Sequence, residues 1–203
     1  MGAFQPVIFS QAQCGRELQQ LEELLSSTSA LSEREHVLPF FRKTPHLASY
    51  IGSLVGVLSC DRIAHELSLE GSFTVDLAIG DSSRRKFVLI EFEDAKESSI
   101  FVKKKKLTPD WSPRFLGGLA QLSDWLWLLD DIARTERLKH IFGTGDIDVQ
   151  VMLIIGRSEH LDERTHARLR WLENEMLSKR VRILTFDSLL EDLKHAFKNF
   201  SAK

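Results

Sequence analysis

At 203 residues, 43% hydrophobic and 28% charged, the chain is long enough to bury one core and short for two. It has no run of eighteen apolar residues, which excludes a helical membrane span, and residues 1–10 lack the basic-then-apolar order of a signal peptide. A net charge of -2 excludes a protein that coats nucleic acid by bulk charge, but not one with a local basic strip. Cys14 and Cys60 form no CxxC pair, so neither a disulfide framework nor a structural zinc site is expected, and a reducing cytoplasm is the expected setting.

In chain order, Cys14, Leu18, Leu21 and Leu25 recur at helical spacing and predict a helix over about 11–26, followed by a polar connector. Ser32, with Glu35 three residues on, reads as a capping box opening a second helix that carries Val37, Leu38, Phe40 and Phe41. A third short helix is predicted over 47–58. The period then drops to two. Residues 63–69, 73–79 and 87–93 read as strands, with turns at Glu70-Gly71 and 80–83. The third is nearly all apolar from Phe87 to Ile90, as a strand covered on both faces requires.

Residues 94–111 read as an irregular link containing the lysine run Lys103, Lys104, Lys105 and Lys106. Ser112-Pro113 supplies an N-cap and a proline at the first helical position, opening a helix to about Arg134. Phe115, Leu119, Leu122, Leu126 and Leu129 form its core stripe. A glycine turn at 143–145 precedes a strand over 149–155, an amphipathic helix over 162–178, a strand over 181–185 and a last helix over 187–197. This order predicts a mixed α/β sandwich, with 1–31 as a helical extension and 32–203 as the main domain.

The chemistry-bearing stretch is Asp76 in one strand with Glu91 and Glu93 in the next. Residues two apart in a strand share a face, so a tight turn would gather three carboxylates on one side of the sheet. Carboxylates that close repel, and a hard divalent cation such as Mg²⁺ resolves the repulsion. The alternative is a set of solvated acids on an outer face, which a nearly all-apolar strand leaves little room for.

These residues resemble the PD-(D/E)xK nuclease fold, and more narrowly the nuclease domain of the Shedu antiphage defence proteins. The resemblance spans about 33–193. It rests on Glu-Arg-Glu-His-Val-Leu-Pro-Phe-Phe-Arg-Lys-Thr-Pro (33–45), Val-Asp (75–76) and Ile-Glu-Phe-Glu-Asp-Ala (90–95). It continues through Gly118-Leu-Ala-Gln121-Leu-Ser-Asp-Trp125, Leu-Ile-Ile-Gly (153–156) and Val-Arg-Ile-Leu-Thr-Phe-Asp-Ser-Leu-Leu (181–190). It implies a restriction-endonuclease-like mixed central sheet flanked by helices, with 32–203 as the nuclease domain. It also implies a Mg²⁺- or Mn²⁺-dependent DNA endonuclease. Asp76 and Glu91 would hold the metal. The next motif position, usually lysine, is Glu93, which some restriction endonucleases of this fold use as a base or second-metal ligand. Lys96 or the run 103–106 is a candidate for the missing cation.

The same resemblance offers Glu35 as a further acid, with Glu33 as its rival; a capping box accounts for Glu35 equally well. On the long helix, Arg114, Gly118, Gln121 and Trp125 share a flank that reads either as a phosphate shelf near the metal or as a polar helix margin. Lys96, Lys103 to Lys106 and Arg114 are the expected nucleic-acid contacts, and the four tryptophans are read mostly as packing residues. The family implies oligomers and a separate sensing partner, with the N-terminal stripe as a candidate contact. Two functions therefore stand: a metal-dependent DNA endonuclease, and a catalytically idle nuclease-fold module serving nucleic-acid binding or assembly.

Overall fold

A computed structural model describes residues 2–102 and 108–201; the lysine run 103–106 lies outside the described residues. The element order is β1 (Gln5–Pro6), α1 (Gln11–Ser27), a π turn (Glu33–Val37), α2 (Leu38–Lys43) and α3 (Pro45–Ile51). Then come β2 (Arg62–Leu69), β3 (Phe73–Asp81), β4 (Lys86–Phe92), the short pair β5 (Phe101–Val102) and β6 (Asp110–Trp111), and α4 (Pro113–Asp131). The chain closes with α5 (Glu136–Phe142), β7 (Asp148–Ile154), α6 (Glu163–Trp171), β8 (Val181–Leu184) and α7 (Phe186–Ser201). One mixed sheet runs β1-β2-β3-β4-β7-β8, antiparallel up to β4 and parallel beyond it. The expected mixed sheet, flanked by helices and preceded by a helical segment, is the fold observed.

Two tight turns set the register on which the site depends. The β2–β3 turn passes through Glu70 and Gly71, both left-handed (φ +54° and +72°). Arg137 of α5 grips the Glu70 carboxylate there. In the β3–β4 turn the buried Asp81 carboxylate accepts from Ser83 Oγ (2.6 Å), Arg84 N (3.0 Å) and Arg84 Nη1 (2.9 Å). This side chain fastens its own turn. The pairing it fixes places Leu77 opposite Ile90. The next rung sets Asp76 against Glu91.

The sheet separates two apolar cores. Val88, Ile90 and Phe92 of β4 join Leu77, Ile79, Met152 and Ile154 beneath α1, α3 and α7. Phe87 and Leu89 join Ala78, Val151 and Leu153 beneath α4. Alternation along β4 therefore turns Glu91 toward α4. Gly118 lets that helix descend: a Cβ there would stand 2.7 Å from Leu153 Cδ1. Ser112 caps α4 as expected, its hydroxyl accepting from Phe115 N at 2.9 Å.

Several expectations are revised. The stripe Cys14, Leu18, Leu21 and Leu25 is buried in the core, so it offers no surface to another copy. Ser32 makes no side-chain cap, and a π turn replaces the start of the second helix. The long helix stops at Asp131, and left-handed Arg134 (φ +63°) separates it from α5, a helix the spacing did not reveal. Among the tryptophans, Trp125 is buried and Trp111 stacks between Phe101 and Phe115, but Trp127 and Trp171 are exposed. Among the described residues, no helix is long and apolar enough to cross a membrane.

Arg157, only 7% exposed, ties the N-terminal helix to the β7–β8 crossover. Its Nη1 donates to Leu25 O (3.0 Å) and Thr28 O (3.2 Å), and its Nε to Asp187 (2.9 Å). Truncation would leave these acceptors without their donor in a site too buried for water to replace it fully. We expect Arg157→Ala to lower unfolding free energy in urea by about 3 kcal/mol. A change below about 0.5 kcal/mol would show that the tie contributes nothing.

Candidate functional site

Asp76 and Glu91 meet where β3 and β4 part. The regular ladder ends at Leu77–Ile90, and the Asp76 carboxylate takes its place by accepting from Phe92 N at 2.9 Å. Across the other edge of β3, Glu66 stands opposite Asp76, because His65 pairs with Leu77 and Leu67 with Val75. Glu66 adopts φ +52°, a left-handed conformation costing an ordinary L-residue roughly 1–2 kcal/mol. Its carboxylate is held by Arg42 of α2 at 2.6 Å. A strained strand residue beside a buried acid is a frequent mark of a functional site. Nothing in the sequence signalled it.

Glu91 is 8% exposed, and its Oε2 has no hydrogen-bond partner. Burial, with Asp76, Glu93 and Glu33 nearby, pushes its carboxyl up to about 10; the Gln121 amide partly offsets this. Burial also lifts Asp76 to about 7, against the pull of the Phe92 N–H, and Glu33, Glu93 and Glu66 add repulsion. Gln121 also reaches Thr74 O at 3.4 Å. The amide thus lies near both the carboxylate pair and the β3 backbone.

Glu93 lies further along the same edge and is clasped by Arg114 of α4. Burial raises its carboxyl, and the Arg114 contact opposes the rise. Arg114 also reaches Glu33 (3.2 Å) and Asp94 (3.6 Å). Asp94 in turn accepts from Glu33 N (2.8 Å) and from Lys96 Nζ (2.7 Å). Glu93, expected to join Asp76 and Glu91 around one ion, is paired with Arg114 in this structure. Among the described residues, no group of three His, Cys, Asp or Glu side chains is placed to hold a metal.

Glu35 is exposed and takes no part in this network; Glu33, its rival, supplies the acid. Lys96 and Arg114 border a cleft of about 530 Å³ together with Ser98, Ser112, Gly117 and Gln121. On this wall Gly117 faces open space, where a Cβ would meet nothing within 4 Å.

A divalent cation fits the Asp76–Glu91 pair on chemical grounds. A buried acid beside a half-buried one, with one orphaned oxygen, is stabilised either by protons or by a positive ion. Mg²⁺ commonly takes only one or two protein carboxylates and completes its shell with water and phosphate oxygens.

The raised carboxyls set the sign of a pH dependence. Both groups keep their protons to higher pH when folded than when unfolded, so the folded chain binds more protons above about pH 4. Stability then falls as pH rises through about 7 for Asp76 and on toward about 10 for Glu91. In chelator, the urea midpoint should fall between pH 5 and pH 8. Asp76→Asn and Glu91→Gln should flatten that slope and gain on the order of 2 kcal/mol at pH 8. A wild-type midpoint that rises over this interval contradicts the burial described.

Residues 30–190, most of the chain, match the family model of the C-terminal region of the Shedu protein SduA. The match takes in the carboxylate pair, Arg114, Gln121 and the crossover to β8. A search of curated proteins gives no match. With its mixed sheet and the acids at the β3–β4 edge, the chain belongs to the Shedu SduA C-terminal family.

Proposed function

We propose that this chain is a nuclease-fold module that binds DNA along the cleft between α4 and the β3–β4 edge, and that in the arrangement described it binds rather than cuts. The observation that carries this reading is the Arg114–Glu93 contact. In the PD-(D/E)xK pattern the slot of Glu93 carries a lysine that stabilises developing charge. Here the slot is acidic, and its charge is spent on the helix. The mixed sheet, with acids on neighbouring strands at its parting edge, supports placement in that superfamily. Lys96, Arg114 and the open wall at Gly117 and Gln121 give a phosphate backbone cations and room to lie close.

A second reading, a Mg²⁺- or Mn²⁺-dependent DNA endonuclease in antiphage defence, is favoured by the unpartnered Glu91 Oε2 beside Asp76. A cation held by Asp76 and Glu91 would polarise a phosphoryl oxygen and make bound water more acidic. In that case Gln121 orients the cation-side acids and Arg114 neutralises phosphate.

The two readings separate in one pair of assays on the purified chain. For the module, a fluorescent DNA duplex is bound in Mg²⁺ or Mn²⁺, and supercoiled plasmid stays intact. Arg114→Ala should then weaken duplex binding roughly tenfold, as loss of a charge-assisted phosphate contact implies. Plasmid cutting that disappears in both Asp76→Ala and Glu91→Ala would establish the second reading instead. Failure to bind DNA in any form would remove both.

A further inference from the structure

We propose that Arg114 is an exchange residue that couples DNA binding to cation binding: a backbone phosphate takes Arg114 away from Glu93, and the released carboxylate turns to a cation at Asp76 and Glu91. The proposal rests on the preceding reading of the cleft as a DNA site.

Arg114 is well placed for the exchange. Its side chain is 42% exposed, whereas those of its partners Glu93 and Asp94 are 12% and 10% exposed. The solvent-facing member of the network is therefore the cation. It stands at the start of α4, on the wall of the cleft that also holds Lys96, Ser98 and Gly117. A guanidinium offers five donors in a planar fork, and a phosphate accepts two of them at once. Glycine inside a helix costs about 1 kcal/mol relative to alanine, and no neighbour requires one at Gly117. Its bare backbone leaves room for a ligand to approach Arg114 from the cleft.

Charge supplies the coupling. Arg114 is the cation that clasps Glu93 and also reaches Glu33, on the edge that carries the acids Asp76 and Glu91. When phosphate takes Arg114, the acids lose that cation while a further negative group arrives. The orphaned Glu91 Oε2, in a side chain more than nine-tenths buried, marks where a replacement positive charge would be seated. Binding of phosphate and of a divalent cation thus favour each other. By linkage, each raises the affinity of the other by the same factor.

The test is Mn²⁺ binding, followed through the electron paramagnetic resonance signal of free Mn²⁺. The full chain is titrated with and without a phosphorothioate-blocked DNA duplex, and Mn²⁺ bound by the duplex alone is subtracted. In wild type, the duplex should tighten Mn²⁺ binding roughly tenfold, within the usual range for coupled sites. Arg114→Ala should bind Mn²⁺ more tightly than wild type without DNA, and the duplex should no longer change that affinity. Glu93→Gln keeps the guanidinium but frees it, and covers the case in which Arg114→Ala fails to fold. It should bind the duplex more tightly than wild type in chelator, and Mn²⁺ more weakly. Unchanged Mn²⁺ affinity on adding DNA to wild type, or coupling that survives in a folded Arg114→Ala, overturns the exchange and leaves the DNA-binding reading intact. A wild type that binds no duplex overturns both.

Discussion

Buried Glu91 and half-buried Asp76, side by side at the point where two antiparallel strands stop pairing, are the constraint around which the remaining features make sense. The ladder between β3 and β4 ends one rung before Asp76 and Glu91, and a side-chain acceptor replaces the missing backbone bond to Phe92. This opens the sheet edge without leaving an amide unsatisfied. The same step leaves Glu91 Oε2 without a donor. A buried acid with a free oxygen is unfavourable for folding, and its neighbour Asp76 makes it more so. Such an arrangement is relieved either by a proton on the pair or by a positive ion.

The rest of the fold positions that pair. The buried Asp81 carboxylate fixes the short turn that sets the register, and a shift of one residue between the strands would put the two acids on opposite faces of the sheet. Gly118 lets α4 settle on Leu153, which brings Gln121 to the carboxylates and Arg114 to Glu93. The left-handed backbone at Glu66 lies on the far side of Asp76, so the strained strand and the unpaired rung flank the same residue.

Much of this was legible in the sequence because it follows from period and turn length. Alternation in 73–79 and 87–93, with a short polar turn between, is enough to place Asp76 beside Glu91. The Ser112-Pro113 start and the Gly118–Gln121 flank of α4 are equally local signals, and they hold. What was not legible is tertiary. Arg114 meets Glu33 and Glu93 across 81 and 21 residues, so its reading as a free phosphate contact missed the partners it already has. Glu35 was offered as the further acid through the family resemblance, with Glu33 as its rival and a capping box as the other account of Glu35. The π turn changes the side-chain directions by which a regular helix would have judged them. Left-handed Glu66 has no glycine to announce it. Helix α5 is different: Thr135 at its N-cap and Gly143 at its end were readable, but the stretch between the long helix and the glycine turn was assigned no element.

The central claim is that Asp76 and Glu91 form a seat for a cation rather than a carboxyl pair that shares protons. Anomalous diffraction from crystals grown at neutral pH with Mn²⁺ and a short duplex tests it most directly. The expected result is an anomalous peak within coordination distance of both carboxylates, with Glu91 Oε2 among its ligands. Absence of a peak at full Mn²⁺ occupancy elsewhere in the cleft, with the two carboxyls in direct hydrogen-bond contact, would contradict it.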